Sequence, residues 1–303
     1  VIGSKILKGK LQNKFLDYLL KKIDLSSCLI LSYHGIEDNC LESGKRISLT
    51  TNCSFINFKS QVESLSKYFH IVSLNEIINQ ITEEKKNLYG KPLAAITFDD
   101  GYKILKKFAL PYLKEKNIPA TIFIITGIIE KSVIPDFVKS EVFRKKMASR
   151  YKNYNYRYES LKPSISDNDL FEYIDENFFS PNELKDLAQF FEIGSHSHSH
   201  CNFTNLTEDE IIYELKTSKS ILERLVGKEI TSFALPYGGS RFFKNIKNEY
   251  FETCGYRLCC STIFGLNKNG DNPYKLKRIT VNNFDTDETF KLKISGKLDF
   301  LSS

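Results

Sequence analysis

The stretch "LAAITFDDGYKILKKFALPYLKEKNIPATIFIIT", residues 93–126, decides the fold. Residues 93–98 form a short apolar run that ends in two carboxylates, Asp99 and Asp100, and a glycine, Gly101. Such a run, bounded by a turn signal, reads as a strand buried on both faces. Residues 102–117 carry a helical pattern, and "ATIFIIT" (120–126) reads as a second buried strand. A strand, a helix and another strand in succession place the two strands parallel.

The alternation continues in both directions. "CLILSYH" (28–34), "SFALPY" (232–237) and "KLKRITV" (275–281) read as buried strands, and "FFEIG" (190–194) is strand-like. Residues 58–69, 181–191 and 207–226 read as helices. In the last of these Thr207 is the expected N-cap, with Glu210 as its capping-box partner. The pattern predicts an α/β protein with a parallel sheet or barrel. Residues 130–180 interrupt it with a tyrosine-rich stretch (150–160) and an acidic one, which reads as an insertion on the rim.

Composition narrows the function classes. Forty-three basic residues against 37 acidic ones give a net charge of +6, too balanced to imply a nucleic-acid partner. No apolar run approaches the ~20 residues that span a bilayer. Seven cysteines, an odd number with no C-x-x-C pair, argue for reduced thiols rather than a disulfide framework. Lysines interrupt every early apolar stretch, so the first residues do not read as a signal peptide. These features lean towards the cytoplasm or the cytoplasmic face of a membrane, with the cell envelope open if a signal preceded Val1. Residues 1–27 are expected to hold an amphipathic helix ahead of a domain spanning 28–303. In residues 5–23 a stripe of Leu7, Leu11, Phe15 and Leu19 is ringed by lysines. It either rests on a membrane surface or packs on the protein body, the commoner fate of such helices.

Chemistry concentrates in three stretches. Successive side chains at a strand end point to opposite sides, so Asp99 and Asp100 need not share one environment. Two adjacent acids repel unless a cation takes one of them and leaves the other to exchange protons. "GSHSHSH" (194–200) supplies imidazoles, and a divalent zinc-like ion accepts imidazole and carboxylate ligands. An extended segment would face His196, His198 and His200 one way. A segment curled into a helix start would pair His196 with His200 and turn His198 aside. Spacing alone leaves both geometries open.

"TFDDGY", "GSHSHSH" and "FALPYGG" (233–239), in this order, resemble the first three motifs of the polysaccharide deacetylases, the NodB-homology or carbohydrate esterase family four domains. The resemblance covers roughly residues 28–295. It implies a distorted (β/α) barrel of about seven parallel strands and one divalent metal, usually zinc. It assigns Asp100, His196 and His200 as metal ligands and Asp99 as general base. The backbone N–H of Tyr237 becomes the oxyanion donor, and His198 falls on a variable position.

The family's proton donor, a histidine in an L-x-x-H motif after the last strand, is missing, since residues 201–303 contain no histidine. His34, His70 and His198 remain. Leu31-Ser32-Tyr33-His34 is itself an L-x-x-H at a strand end, and it resembles the circularly permuted deacetylases of exopolysaccharide systems, whose last strand has moved to the N-terminus. His34 is therefore expected to be the general acid, and His70 a structural histidine. Many members orient the base with an Arg in the third motif, where this chain has Ala234; Arg278 is the expected replacement, with Arg241 as the other candidate. The Asp/Trp motif is absent, as is Trp altogether. Cys201 is expected to be a bystander. The implied activity is metal-dependent removal of N-acetyl groups from amino sugars of a polysaccharide, oligosaccharide or glycolipid, with an N-acetyl-hexosamine carbohydrate as partner. The rivals are a deformylase or other amide hydrolase on a lipid-linked sugar, and an inactive carbohydrate-binding protein of the same fold.

Overall fold

The structure, a computed structural model, describes residues 14–38, 52–83, 87–150 and 164–299. The tyrosine-rich stretch and the positions of Leu7 and Leu11 lie outside these residues.

The sheet is built from β1 (Cys28–Tyr33), β5 (Leu93–Phe98), β6 (Thr121–Ile124), β7 (Glu192–Ser195), β8 (Ser232–Ala234), β9 (Leu258–Cys260) and β10 (Ile279–Thr280). They run in the order β10-β1-β5-β6-β7-β8-β9, and every adjacent pair is parallel. A short β4 (His70–Ile71) pairs with the start of β5, while β2 (Ile36–Glu37) and β3 (Cys53–Ser54) form a separate two-stranded ribbon. The chain before β10 draws the two ends of the sheet together. Leu276 pairs in parallel with Cys260 on β9, and Ile279 pairs with Leu31 on β1. The result is the curled α/β barrel expected from the alternation.

Period-two alternation sorts the strand side chains into two layers. Leu29, Leu31 and Tyr33 of β1, and Ala94, Ile96 and Phe98 of β5, face outward into the large core beneath the helices. Cys28, Ile30, Leu93 and Ala95 join Phe123, Ala234, Leu258 and Cys260 in a smaller inner cluster. The helix Leu74–Thr82 adds Leu74, Ile77, Ile78 and Ile81 to that inner cluster. A Cβ on Gly194 would sit 2.5 Å from the Phe123 ring, so only glycine leaves that ring its place.

The helices follow local signals. Thr207 caps Glu208–Val226, accepting from Glu210 N–H while Glu210 Oε2 accepts from Thr207 N–H at 2.7 Å; Gly227, in the left-handed region, ends it. The single helix expected over 102–117 is broken. A 3₁₀ turn (Lys103–Lys106) precedes the helix Ala109–Glu115, because Pro111 lacks an N–H and is tolerated only in a first turn.

The insertion between β6 and β7 is helical, with Asp136–Arg150 and Asp167–Asn177 packed on each other. Val138, Val142, Leu170, Tyr173, Ile174 and Phe178 form its own small core, into which Tyr102 of the DDGY stretch inserts. Near the start of the chain residues 14–20 are helical, and Leu20 belongs to the main core. The stripe expected to bury is not the buried face. Leu16 and Leu20 are buried, Leu19 is half-buried and Phe15 is exposed. Asp17 anchors this rotation, accepting a hydrogen bond of 2.5 Å from Tyr68 Oη and lying 3.3 Å from Lys291 Nζ.

Candidate active site

Apart from Arg278, which stands just before β10, the site residues leave the C-terminal ends of barrel strands, where such folds collect their chemistry. His34 follows β1, Asp99 and Asp100 follow β5, His196 and His200 follow β7, and Tyr237 follows β8. The strand alternation continues past Phe98, so Asp99 stays on the inward side with Thr97, while Asp100 turns away in a left-handed conformation (φ 70°).

Asp99 is buried against Arg278. The guanidinium donates in parallel, Nη1 to Oδ1 and Nη2 to Oδ2, each at 2.8 Å. Arg278 is itself fixed by Nε donating to Ser261 O at 2.7 Å and Nη1 donating to Thr97 Oγ1 at 3.1 Å. Ser32 Oγ donates to Asp99 Oδ2 at 3.3 Å. Burial alone would push the Asp99 carboxyl up, but the Arg278 charge and its paired hydrogen bonds act together against it, and the acid is held well below the usual carboxylate range. Arg241, the other candidate, lies exposed with its guanidinium 4.6 Å from the Phe242 ring centre.

Asp100 Oδ1 approaches two imidazoles, His196 Nε2 at 3.5 Å and His200 Nε2 at 3.6 Å. Among the described residues this trio is the one His/Cys/Asp/Glu group whose ligand atoms all lie within 4.8 Å of one another. His196 Nδ1 contacts Ala234 O at 2.7 Å; a carbonyl only accepts, so Nδ1 donates and Nε2 is the nitrogen turned towards Asp100. Burial lowers the His200 pKa to about 4, outweighing the Asp100 charge, so this imidazole is neutral near pH 7. Asp100 Oδ1, His200 Nδ1 and His34 Nδ1 are buried without a hydrogen-bond partner. Native proteins seldom orphan buried polar atoms unless a ligand or ion takes them. One carboxylate and two imidazoles suit a zinc-like divalent ion that keeps an open position.

The loop 196–200 is neither of the two geometries open from spacing. Ser197 and His200 adopt left-handed conformations (φ 65° and 56°), and His200 N–H donates to Ser197 Oγ at 2.9 Å. These two turns bring His196 and His200 together without a helix. His198 faces elsewhere, with Nδ1 2.9 Å from Thr126 Oγ1. Its N–H and that of Ser199 donate to Glu214 Oε2 at 2.8 and 2.9 Å. Glu214, Thr126, Ser32 and Thr97 were not singled out from the sequence. Ser32 and Thr97 carried a signal, as polar residues inside apolar strands that pair directly across β1 and β5.

His34 is half-buried, and its Nδ1 has no hydrogen-bond partner. His70 pairs with Leu93 at the opposite end of β5 and stacks on Tyr89, ring centres 3.9 Å apart. Cys201 is outside the trio, its thiol pushed up to about 11 by burial. Tyr237 sits at the centre of a γ-turn, with φ 63° and Gly238 N–H donating to Pro236 O at 2.8 Å. Among the described residues no acceptor takes the Tyr237 N–H. Among the described residues four of the six non-glycine residues with positive φ are Asp100, Ser197, His200 and Tyr237, so backbone strain collects at this mouth. Phe137 of the insertion packs edge-on against His200, ring centres 5.2 Å apart, and the Tyr237 ring lies 5.2 Å from the same imidazole.

Comparison with known proteins gives a consistent picture. The polysaccharide deacetylase family model matches residues 85–259. No curated protein matches the chain significantly. Among solved structures, the Streptococcus pyogenes deacetylase PplD, in complex with acetate, is similar at 18% identity and TM-score 0.64, over 90% of this chain and 100% of that one. IcaB from Ammonifex degensii is similar at 19% identity and TM-score 0.60, over 90% of this chain and 97% of its own. A de-N-acetylase from Aggregatibacter actinomycetemcomitans gives 17% identity and TM-score 0.61, over 88% and 99%. At these identities the likeness is one of fold.

Proposed function

The chain belongs to the polysaccharide deacetylase family, and we propose that it uses one divalent metal, most fittingly zinc, to remove N-acetyl groups from amino sugars of a polysaccharide, oligosaccharide or glycolipid. The observation that carries this reading is the approach of Asp100 Oδ1 to His196 and His200 Nε2 beside a second carboxylate clamped by arginine.

Asp100, His196 and His200 would hold the ion, which when bound supplies a Lewis acid and lowers the pKa of a water beside it. Asp99 accepts the proton of the attacking water. Arg278 keeps that carboxylate ionised and in one orientation, at the cost of basicity. A base so weakened needs an acidified water, which explains why the base and a ligand occupy adjacent positions. The water oxygen adds to the acyl carbon, and the Tyr237 N–H donates to the oxyanion. His34 delivers a proton to the departing nitrogen as the C–N bond breaks, leaving acetate and a free amino sugar. Arg278 thus does from the start of β10 what an arginine at position 234 would do. The strand carrying His34 lies between β5 and β10, the first strand beside the last, which supports the circularly permuted reading.

The experiment is an assay of N-acetyl and N-formyl hexosamine oligomers side by side with the metal-loaded protein. Acetate release supports the proposal. Formate alone would transfer the reading to deformylation, and release of neither would leave only a carbohydrate-binding role.

A further inference from the structure

Eleven large apolar side chains are exposed among the described residues, and several of them group near the first helix. Phe15 (60% exposed), Tyr18 (58%), Leu25 and Leu88 (83%) fall in two short segments that precede β1 and β5. Both segments therefore lie at the N-terminal ends of the strands, opposite the mouth. They touch each other, since Asn87 Nδ2 donates to Leu25 O at 2.9 Å. Phe15 and Tyr18, three residues apart, share one helical face, and that face is not the one carrying buried Leu16 and Leu20.

The charge around this patch is one-sided. Among the described residues of the first segment Lys14, Lys21 and Lys22 are exposed, against the two acids Asp17 and Asp24. Asp17 turns inward to Tyr68, Lys67 and Lys291 and so does not balance the outer lysines. Asp24, at the edge, is taken up by the Ser26 N–H and hydroxyl. Aromatic and leucine side chains framed by lysines match the boundary of an anionic bilayer, with apolar groups among the headgroups and ammonium groups at the phosphates. A second copy of the chain fits less well, because a two-fold contact would set these lysines against their own copies.

We propose that this base-end patch docks the protein on an anionic lipid surface, with Phe15, Tyr18, Leu25 and Leu88 entering the headgroup boundary and Lys14, Lys21 and Lys22 pairing with lipid phosphates. Docking from that end points the barrel mouth away from the bilayer.

The test is co-sedimentation of the full chain with vesicles of mixed phosphatidylglycerol and phosphatidylcholine, and with phosphatidylcholine alone. The chain is expected to bind the mixed vesicles, weakly or not at all the neutral ones, and less as salt is raised. The double variant Phe15→Glu/Tyr18→Glu should lower the partition coefficient about tenfold or more while keeping its melting temperature and its activity on a soluble oligosaccharide. The charge variant Lys14→Glu/Lys21→Glu/Lys22→Glu, which leaves the apolar side chains in place, should lower it as well. Equal binding to neutral vesicles, or unchanged binding in both variants, overturns the proposal. So does a wild-type dimer in light scattering that the double variant converts to monomer, which would assign the patch to self-association.

Discussion

The two ends of the barrel are built on opposite terms. At the mouth the backbone is strained at Asp100, Ser197, His200 and Tyr237, and buried polar atoms of Asp100, His200 and His34 lack partners. On the base side Glu192 Oε1 and Ser232 Oγ, at the starts of β7 and β8, also lack partners, but near the first helix Asp17 is answered by Tyr68 and Lys291, and the exposed features are Phe15, Tyr18, Leu25 and Leu88. Strain and orphaned polarity cost stability, and a fold keeps them only where a ligand or reaction repays them. Exposed apolar groups cost little folding stability, so substitutions there should fall on binding alone. The mouth should therefore respond to single substitutions with large losses of turnover, metal or stability, and the base with almost none.

The largest effect is expected at the clamp. Arg278→Met leaves Asp99 buried without its counter-charge and should cost about 3–5 kcal/mol in urea unfolding, together with most turnover. A change below about 1 kcal/mol would show that the pair does not organise the mouth. The clamp also has a pH signature. The Asp99 pKa is depressed in the folded state, so its contribution is present above the unfolded carboxyl value of about 4 and is lost as pH falls below it. Asp99→Asn, which removes the titrating group, should flatten the stability slope below about pH 4 relative to wild type.

Next come the imidazoles. His200→Ala should lose bound metal by elemental analysis, whereas His198→Ala should retain it, because His198 is spent on Thr126 and the loop. Equal loss in both would mean that all three histidines bind the ion. His34→Ala should keep its metal and lose about 10²–10⁴ in turnover, the usual worth of a general acid. Unchanged turnover would remove His34 from the reaction. The smallest effect belongs to the base, where Phe15→Glu/Tyr18→Glu should alter stability by less than about 0.5 kcal/mol for each exposed site. A collapse of stability there would contradict the contrast between the two ends.

Much of this organisation was legible in the sequence because it rests on short-range periodicity. Apolar runs such as 93–98 announced buried strands, and the Thr207–Glu210 pair announced its helix. Inward parity of Asp99 follows from counting along β5. What was not legible depends on long-range closure. Arg278 was the expected partner of Asp99 from its place on a predicted strand, but the paired Nη1 and Nη2 bonds arise from the last barrel strand closing beside the first, which nothing local to 275–281 specifies. The loop 196–200 turns by left-handed serine and histidine, residue types that do not advertise positive φ as glycine does. The helices of the insertion escaped because charged and tyrosine-rich residues hide the few apolar positions of their small core. At the start of the chain the stripe was visible but its direction was not. Helical spacing identifies a face, and only the Asp17–Tyr68 contact decides which face turns inward.

The most direct test of the central claim compares metal content and acetate release in wild type and Asp99→Asn, using an N-acetyl-hexosamine oligomer. Equal metal is expected in both proteins, with acetate from wild type and release slower by about 10²–10⁴ from the variant. Wild type that binds metal yet releases no acetate from any amino-sugar oligomer, or a variant that releases it as fast as wild type, would contradict it.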